Sequence, residues 1–154
     1  MQLDEIDGEL SLRAFEFFYW FSRFEFALKE NGYLRSDVVG ADAEPGWDKF
    51  VRTKKNAYTA SPSAVNIVQL APRKQVVTQG GGIGWRSNNA TSANLGNVVG
   101  FLKTVRNNLF HGGKHGDKGW DDPERTRALL ESGIAVLDEL ADLGGFQVDY
   151  KRFY

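Results

Sequence analysis

Apolar residues recur at three- and four-residue spacing in three long stretches of this chain, a periodicity that predicts helices. In the clearest stretch, Leu95, Val98, Val99, Leu102, Val105 and Leu109 draw a single stripe. Thr91 or Ser92 would cap that helix, and Gly112-Gly113 would stop it. A last helix opens at Asp122-Pro123, buries Leu129, Leu130, Ile134, Leu137 and Leu140, and stops at Gly144-Gly145. The first, over residues 11–31, is capped by Ser11 and ended by Asn31-Gly32. It carries Phe15, Phe17, Phe18, Tyr19, Trp20, Phe21, Phe24 and Phe26 with only a narrow polar side. A helix apolar nearly all round is buried on more than one face. Either it is the central helix, or it packs on the core with one face and on a second subunit with another.

The middle of the chain is less regular. Gly40, Asp42 and Pro45-Gly46 mark residues 33–45 as connecting structure. Trp47, Phe50, Val51, Lys54 and Tyr58 then predict a short helix over 46–58. Its cations Lys49, Arg52, Lys54 and Lys55 read as a solvated face, with a phosphate-contacting flank as the alternative. Ser61-Pro62 opens a third helix reaching Leu70, although the β-branched Val65, Ile67 and Val68 keep a strand in play. Residues 73–92 hold Gly80-Gly81-Gly82 and Gly84 and predict a flexible insertion, a flap if it moves. They lack both the Lys-Ser/Thr ending of a P-loop and the Gly-x-Gly-x-x-Gly spacing. The tail from 146 to 154 predicts an aromatic anchor or a small strand. With no βαβ alternation and no repeat, the expected fold is all-α. It is an up-and-down bundle of four to five helices with a long Gly-rich loop, in one domain spanning residues 1–154.

Composition narrows the function. Zero cysteines exclude disulfides, thiolate metal sites and a cysteine nucleophile. A formal charge of −1 leaves nucleic-acid binding to local patches rather than global basicity. The acidic first ten residues lack the features of a signal peptide, so a cytoplasmic location is expected. Glu16, Arg23 and Glu25 interrupt the aromatic run too often for a membrane span. Those acids are either half exposed and solvated, or one of them, Glu16 or Glu25, supports a cation such as Arg106.

One patch stands out. Lys103, Arg106, Lys114 and Lys118 are opposed only by Asp117 between positions 103 and 118, and His111 and His115 lie among them. Arg binds phosphate oxygens with a planar fork, while His exchanges protons near neutrality. Metal-independent RNA cleavage requires those two roles: a base for the ribose 2′-hydroxyl and a cation for the charge growing on phosphorus oxygens. Asn107 and Asn108 are candidates to orient the substrate, as are Lys103, Lys114 and His115. On a regular helix Arg106 and His111 stand roughly 140° apart, so they converge only if the helix unwinds or two chains share the site. His111-x-x-x-His115 has metal-pair spacing, with Asp117 or Asp121 to complete it, but the intervening glycines disfavour a helix through both. A purely structural role, Arg106 satisfying a helix end and His111 acting as a polar stop, is the remaining rival.

The run Arg106-Asn107-Asn108-Leu109-Phe110-His111, at the end of a periodic helix and followed by a loop and a final amphipathic helix, resembles the Arg-x4-His signature of the HEPN family. The segment Arg23-Phe24-Glu25-Phe26-Ala27-Leu28 is similar to the first helix of some stand-alone members. The resemblance implies a helical homodimer with both motifs facing a shared cleft. In active members it implies a metal-independent, cofactor-free endoribonuclease with Arg106 and His111 as the catalytic pair and Asn107 at the polar position after the Arg. Many members are toxins, defence nucleases or RNA-processing factors, so RNA and an antitoxin or regulatory protein are the expected partners. Members modified by a nucleotidyltransferase carry Tyr two residues after the His, where this chain has Gly113. A non-catalytic RNA- or nucleotide-binding module is the alternative.

Overall fold

The computed structural model describes residues 8–110 and 122–152. Among the described residues, six helices and a two-stranded sheet fold in the order α1 (Gly8–Glu30), α2 (Trp47–Lys54), α3 (Pro62–Leu70), β1 (Lys74–Val77), β2 (Ile83–Arg86), α4 (Leu95–Phe110), α5 (Pro123–Gly144) and α6 (Gln147–Lys151). No helix among the described residues is long and apolar enough to cross a membrane.

The helix ends follow local chemistry. The α1 helix is already formed at Gly8, a turn before Ser11, and ends where Gly32 takes a φ of 75° and the Tyr33 N–H donates to the Leu28 carbonyl. Ser61 caps α3 by accepting from the Ala64 N–H, which resolves the helix-or-strand question there in favour of helix. Asp122 caps α5 by accepting from the Arg125 N–H, with Pro123 at the first position and Gly145 at the C-cap. The α4 helix starts later than Thr91 or Ser92 predicts: the Asn94 side chain accepts from the Asn97 N–H at 2.9 Å, and Ser92 braces both asparagines. Its expected stop, Gly112-Gly113, lies outside the described residues.

One core joins all the helices. Phe24 sits at its centre, its ring 4.9 Å from Trp47, 5.5 Å from Phe50 and 6.1 Å from Phe146, while Phe17 and Phe21 extend the core along α1. Phe146, at the N-cap of α6, and Tyr150 on it are buried, so the tail is an aromatic anchor and not a strand. Arg23, almost fully buried, fastens it by donating to the Tyr150 and Asp149 carbonyls at the end of α6.

Contacts between α1 and α5 advance together. Glu9 meets Arg127, Arg13 meets Glu131, and Phe17 covers Gly133, where a Cβ would lie 2.5 Å from its ring. These helices therefore run in the same direction, whereas α3 runs against α5, Leu70 meeting Arg125 and Asn66 meeting Ser132. Between α1 and α4 the order also reverses, Phe18 meeting Phe110 and Phe21 meeting Arg106. Strict up-and-down alternation is not followed.

The Gly-rich segment also differs from expectation. Rather than a structureless insertion, Lys74–Val77 pairs antiparallel with Ile83–Arg86, Lys74 opposite Arg86 and Val77 opposite Ile83. Gly80 and Gly81 adopt φ values of 91° and 85°, a conformation that side chains with a Cβ disfavour, and they close the hairpin. Asn108 ties it to α4 by donating to the Arg73 carbonyl at 2.9 Å.

Candidate functional site

A groove of about 610 Å³ opens between the C-terminal third of α1, the start of α2 and the second half of α4. Glu25 enters it from α1, Trp47, Lys49 and Arg52 from α2, and Lys103 and Arg106 from α4. Arg35 and Glu44, ion-paired at 2.6 Å, close its far rim.

Helical spacing explains which side chains meet there. Lys103 and Arg106 are three apart on α4, so both project from one face while Leu102 and Val105 stay in the core. Lys49 and Arg52 have the same spacing on α2, with Phe50 pointing inward between them. The turn before α2 is set by close approach. The Gly46 N–H donates to the Tyr33 carbonyl at 2.7 Å, and a Cβ on Gly46 would lie 2.6 Å from the Leu34 carbonyl oxygen. That approach delivers Trp47 to α1, where its indole Nε1–H donates to Glu25 Oε1 at 2.9 Å.

Arg106 is held by aromatic rings. Its guanidinium carbon lies 5.4 Å from the centre of the Phe110 ring and 5.9 Å from that of Phe21, and its Nη1 donates to Asn107 Oδ1 at 3.0 Å. Phe18 stacks on Phe110 with ring centres 5.8 Å apart. The ring faces are electron-rich and attract the cation while leaving its remaining N–H groups to donate.

Of the residues singled out in the sequence, Arg106, Lys103 and Glu25 share this groove. Glu25 does not form the ion pair with Arg106 that its sequence position suggested: among the described residues none joins them, and its carboxylate takes the indole N–H instead. Glu16 is elsewhere. Nine residues from Glu25 it stands roughly 180° round α1, where it pairs with Arg13 at 2.9 Å. Asn107 is exposed beside Arg106. Asn108, in contrast, is only 5% exposed and spends its amide on the hairpin, so it braces the fold and does not face the groove. His111, Lys114 and His115 lie outside the described residues, as does the His111–His115 metal spacing. Among the described residues no cluster of His, Asp and Glu has the makings of a metal site.

The sequence favoured a solvated face for Lys49 and Arg52, with a phosphate-contacting flank as the alternative, and singled out Trp47 only for its helical spacing. The available signal was the three-residue spacing of the two cations, which says that they share a face but not what lies opposite. Lys49 pairs with Asp37 at 3.3 Å. Arg52, Lys103 and Arg106 have no ion pair among the described residues and form a cationic strip, with Asp48 and Glu25 lining the same groove. Away from the groove, burial, with Glu139 nearby, pushes the Tyr58 phenol up to about 12.

No protein-family model matches this chain, and neither a curated protein nor a solved structure aligns with it.

Proposed function

We propose that the chain is a metal-independent endoribonuclease of HEPN type, acting as a homodimer on RNA. The observation that carries this reading is Arg106, clamped by Phe21 and Phe110 at the last turns of α4 and open to a groove lined by further cations. Such a guanidinium is preorganised for the charge that develops on a phosphate under attack. In the proposed reaction His111 takes the proton of a ribose 2′-hydroxyl and the oxygen bonds to the adjacent phosphorus. The bond to the 5′-oxygen breaks, and that oxygen leaves with a proton. The products are a 2′,3′-cyclic phosphate and a 5′-hydroxyl.

The dimer is supported by Leu12, Phe15, Phe18, Tyr19 and Phe110, which form an exposed apolar face on α1 and the end of α4, beside Arg106. A second copy on that face would bring two Arg106-to-His111 motifs to one cleft, which answers the angular separation of the pair within one helix. A toxin, defence or RNA-processing role in the cytoplasm, with an antitoxin or regulatory protein as partner, belongs to the same reading.

The purified protein is expected to cleave RNA in EDTA, leaving cyclic phosphate ends. Arg106→Ala and His111→Ala should each lower kcat/KM by about 100-fold or more. Cleavage persisting in both variants, with contaminating nuclease excluded, overturns the reading. The strip of Arg52, Lys103 and Arg106 equally suits a non-catalytic RNA- or nucleotide-binding module. That alternative predicts salt-sensitive binding without product.

A further inference from the structure

The groove holds one feature that phosphate binding alone does not explain: carboxylates among its cations, Glu25 inside it and the exposed Asp48 at its edge, besides Glu44, which is paired with Arg35. Glu25 is half-buried and makes no ion pair among the described residues. One oxygen is fixed by the neutral indole N–H of Trp47, which leaves Oε2 to accept from a ligand. An ionised carboxylate only accepts hydrogen bonds, and it repels phosphate. It is useful in a phosphate groove only opposite a donor. In a nucleic-acid backbone the phosphates and the ring oxygen are all acceptors, and the one donor is the 2′-hydroxyl of ribose.

The cationic strip is also longer than the Arg106 site requires. A second depression, of about 340 Å³, shares Asp48, Arg52 and Lys103 with the groove and continues along Gly96 and Gly100 of α4. From Gly96 to Arg106 the helix rises about 15 Å, enough to follow more than one nucleotide. Stacking is not on offer, because Trp47 is only 4% exposed and is packed against Phe21 and Phe24. A strand held there is gripped by its backbone with its bases turned outward.

We infer that the α2–α4 groove is a backbone track for single-stranded RNA. Arg52 and Lys103 neutralise phosphates adjoining the one at Arg106, and Glu25, oriented by Trp47, accepts from a ribose 2′-hydroxyl and thereby selects RNA over DNA. The inference rests on the RNA reading above for its class of ligand, but it concerns binding, not cleavage.

The test is fluorescence anisotropy in EDTA with His111→Ala protein, using end-labelled oligouridine and oligodeoxyuridine of equal length. RNA is expected to bind about tenfold more tightly than DNA, the ratio that one charge-assisted hydrogen bond supplies. Glu25→Ala should collapse the ratio to within about twofold, chiefly by strengthening DNA binding once the repulsion is gone. Arg52→Gln and Lys103→Gln should each flatten the dependence of log K on log salt by about 0.7 for single strands. Equal affinity of the His111→Ala protein for RNA and DNA, a ratio preserved in Glu25→Ala that melts like its parent, or unchanged salt slopes would overturn the track. Cleavage that fails while the binding ratio holds removes only the nuclease. A ratio lost while cleavage holds removes only the track.

Discussion

Asn107 and Asn108 show how much one residue of helical rotation decides. They are chemically identical and adjacent, yet Asn107 lies exposed beside Arg106 while Asn108 is buried and donates to the Arg73 carbonyl. The sequence offered both as substrate-orienting groups. Their divergence of about 100° is predictable from helix geometry, but which of them faces inward depends on where β1 begins. Asn108→Ala removes the hydrogen bond to the Arg73 carbonyl and should cost about 0.5–1.5 kcal/mol. Asn107→Ala should change stability by less than about 0.5 kcal/mol. Urea unfolding monitored by tryptophan fluorescence checks both. An equal effect of the two substitutions would remove the bracing role assigned to Asn108.

Among the elements, α2 has the largest consequence for the site and the weakest signal in the sequence. It is short, and its apolar positions, Trp47 and Phe50, say only that one side is buried. Its placement depends on the backbone approach of Gly46 to Tyr33 and Leu34, which lets Trp47 reach both the Phe24 cluster and Glu25. A methyl group at Gly46 meets carbonyl atoms that belong to the chain itself and have little room to yield. Gly46→Ala should therefore destabilise the fold by about 1–3 kcal/mol, read as a lowered unfolding midpoint. In the near-ultraviolet spectrum the Trp47 environment should change as well. The hairpin was harder still to foresee: strands of four residues are too short for a period-two pattern to stand out, and the glycines between them read as a flexible insertion.

At the scale of the whole molecule the surface is asymmetric, with cations of α2 and α4 lining a groove on one side of Arg106 and the apolar face of α1 and Phe110 on the other. If that face joins two copies, Phe15→Glu, altering a side chain 65% exposed, should yield a folded monomer in sedimentation and sharply reduce cleavage. An unchanged sedimentation coefficient would remove the face from the dimer. The long helices, the caps Ser61 and Asp122, the glycine stops Gly32 and Gly145 and the shared face of Lys103 and Arg106 were legible in the chain because periodicity, capping and helical spacing are properties of neighbouring residues. The meeting of Lys49 and Arg52 with Lys103, the hydrogen bond from Trp47 to Glu25 and the inward turn of Asn108 were decided only by tertiary packing. Each joins residues that are distant in sequence, and no local pattern encodes which buried faces will choose one another.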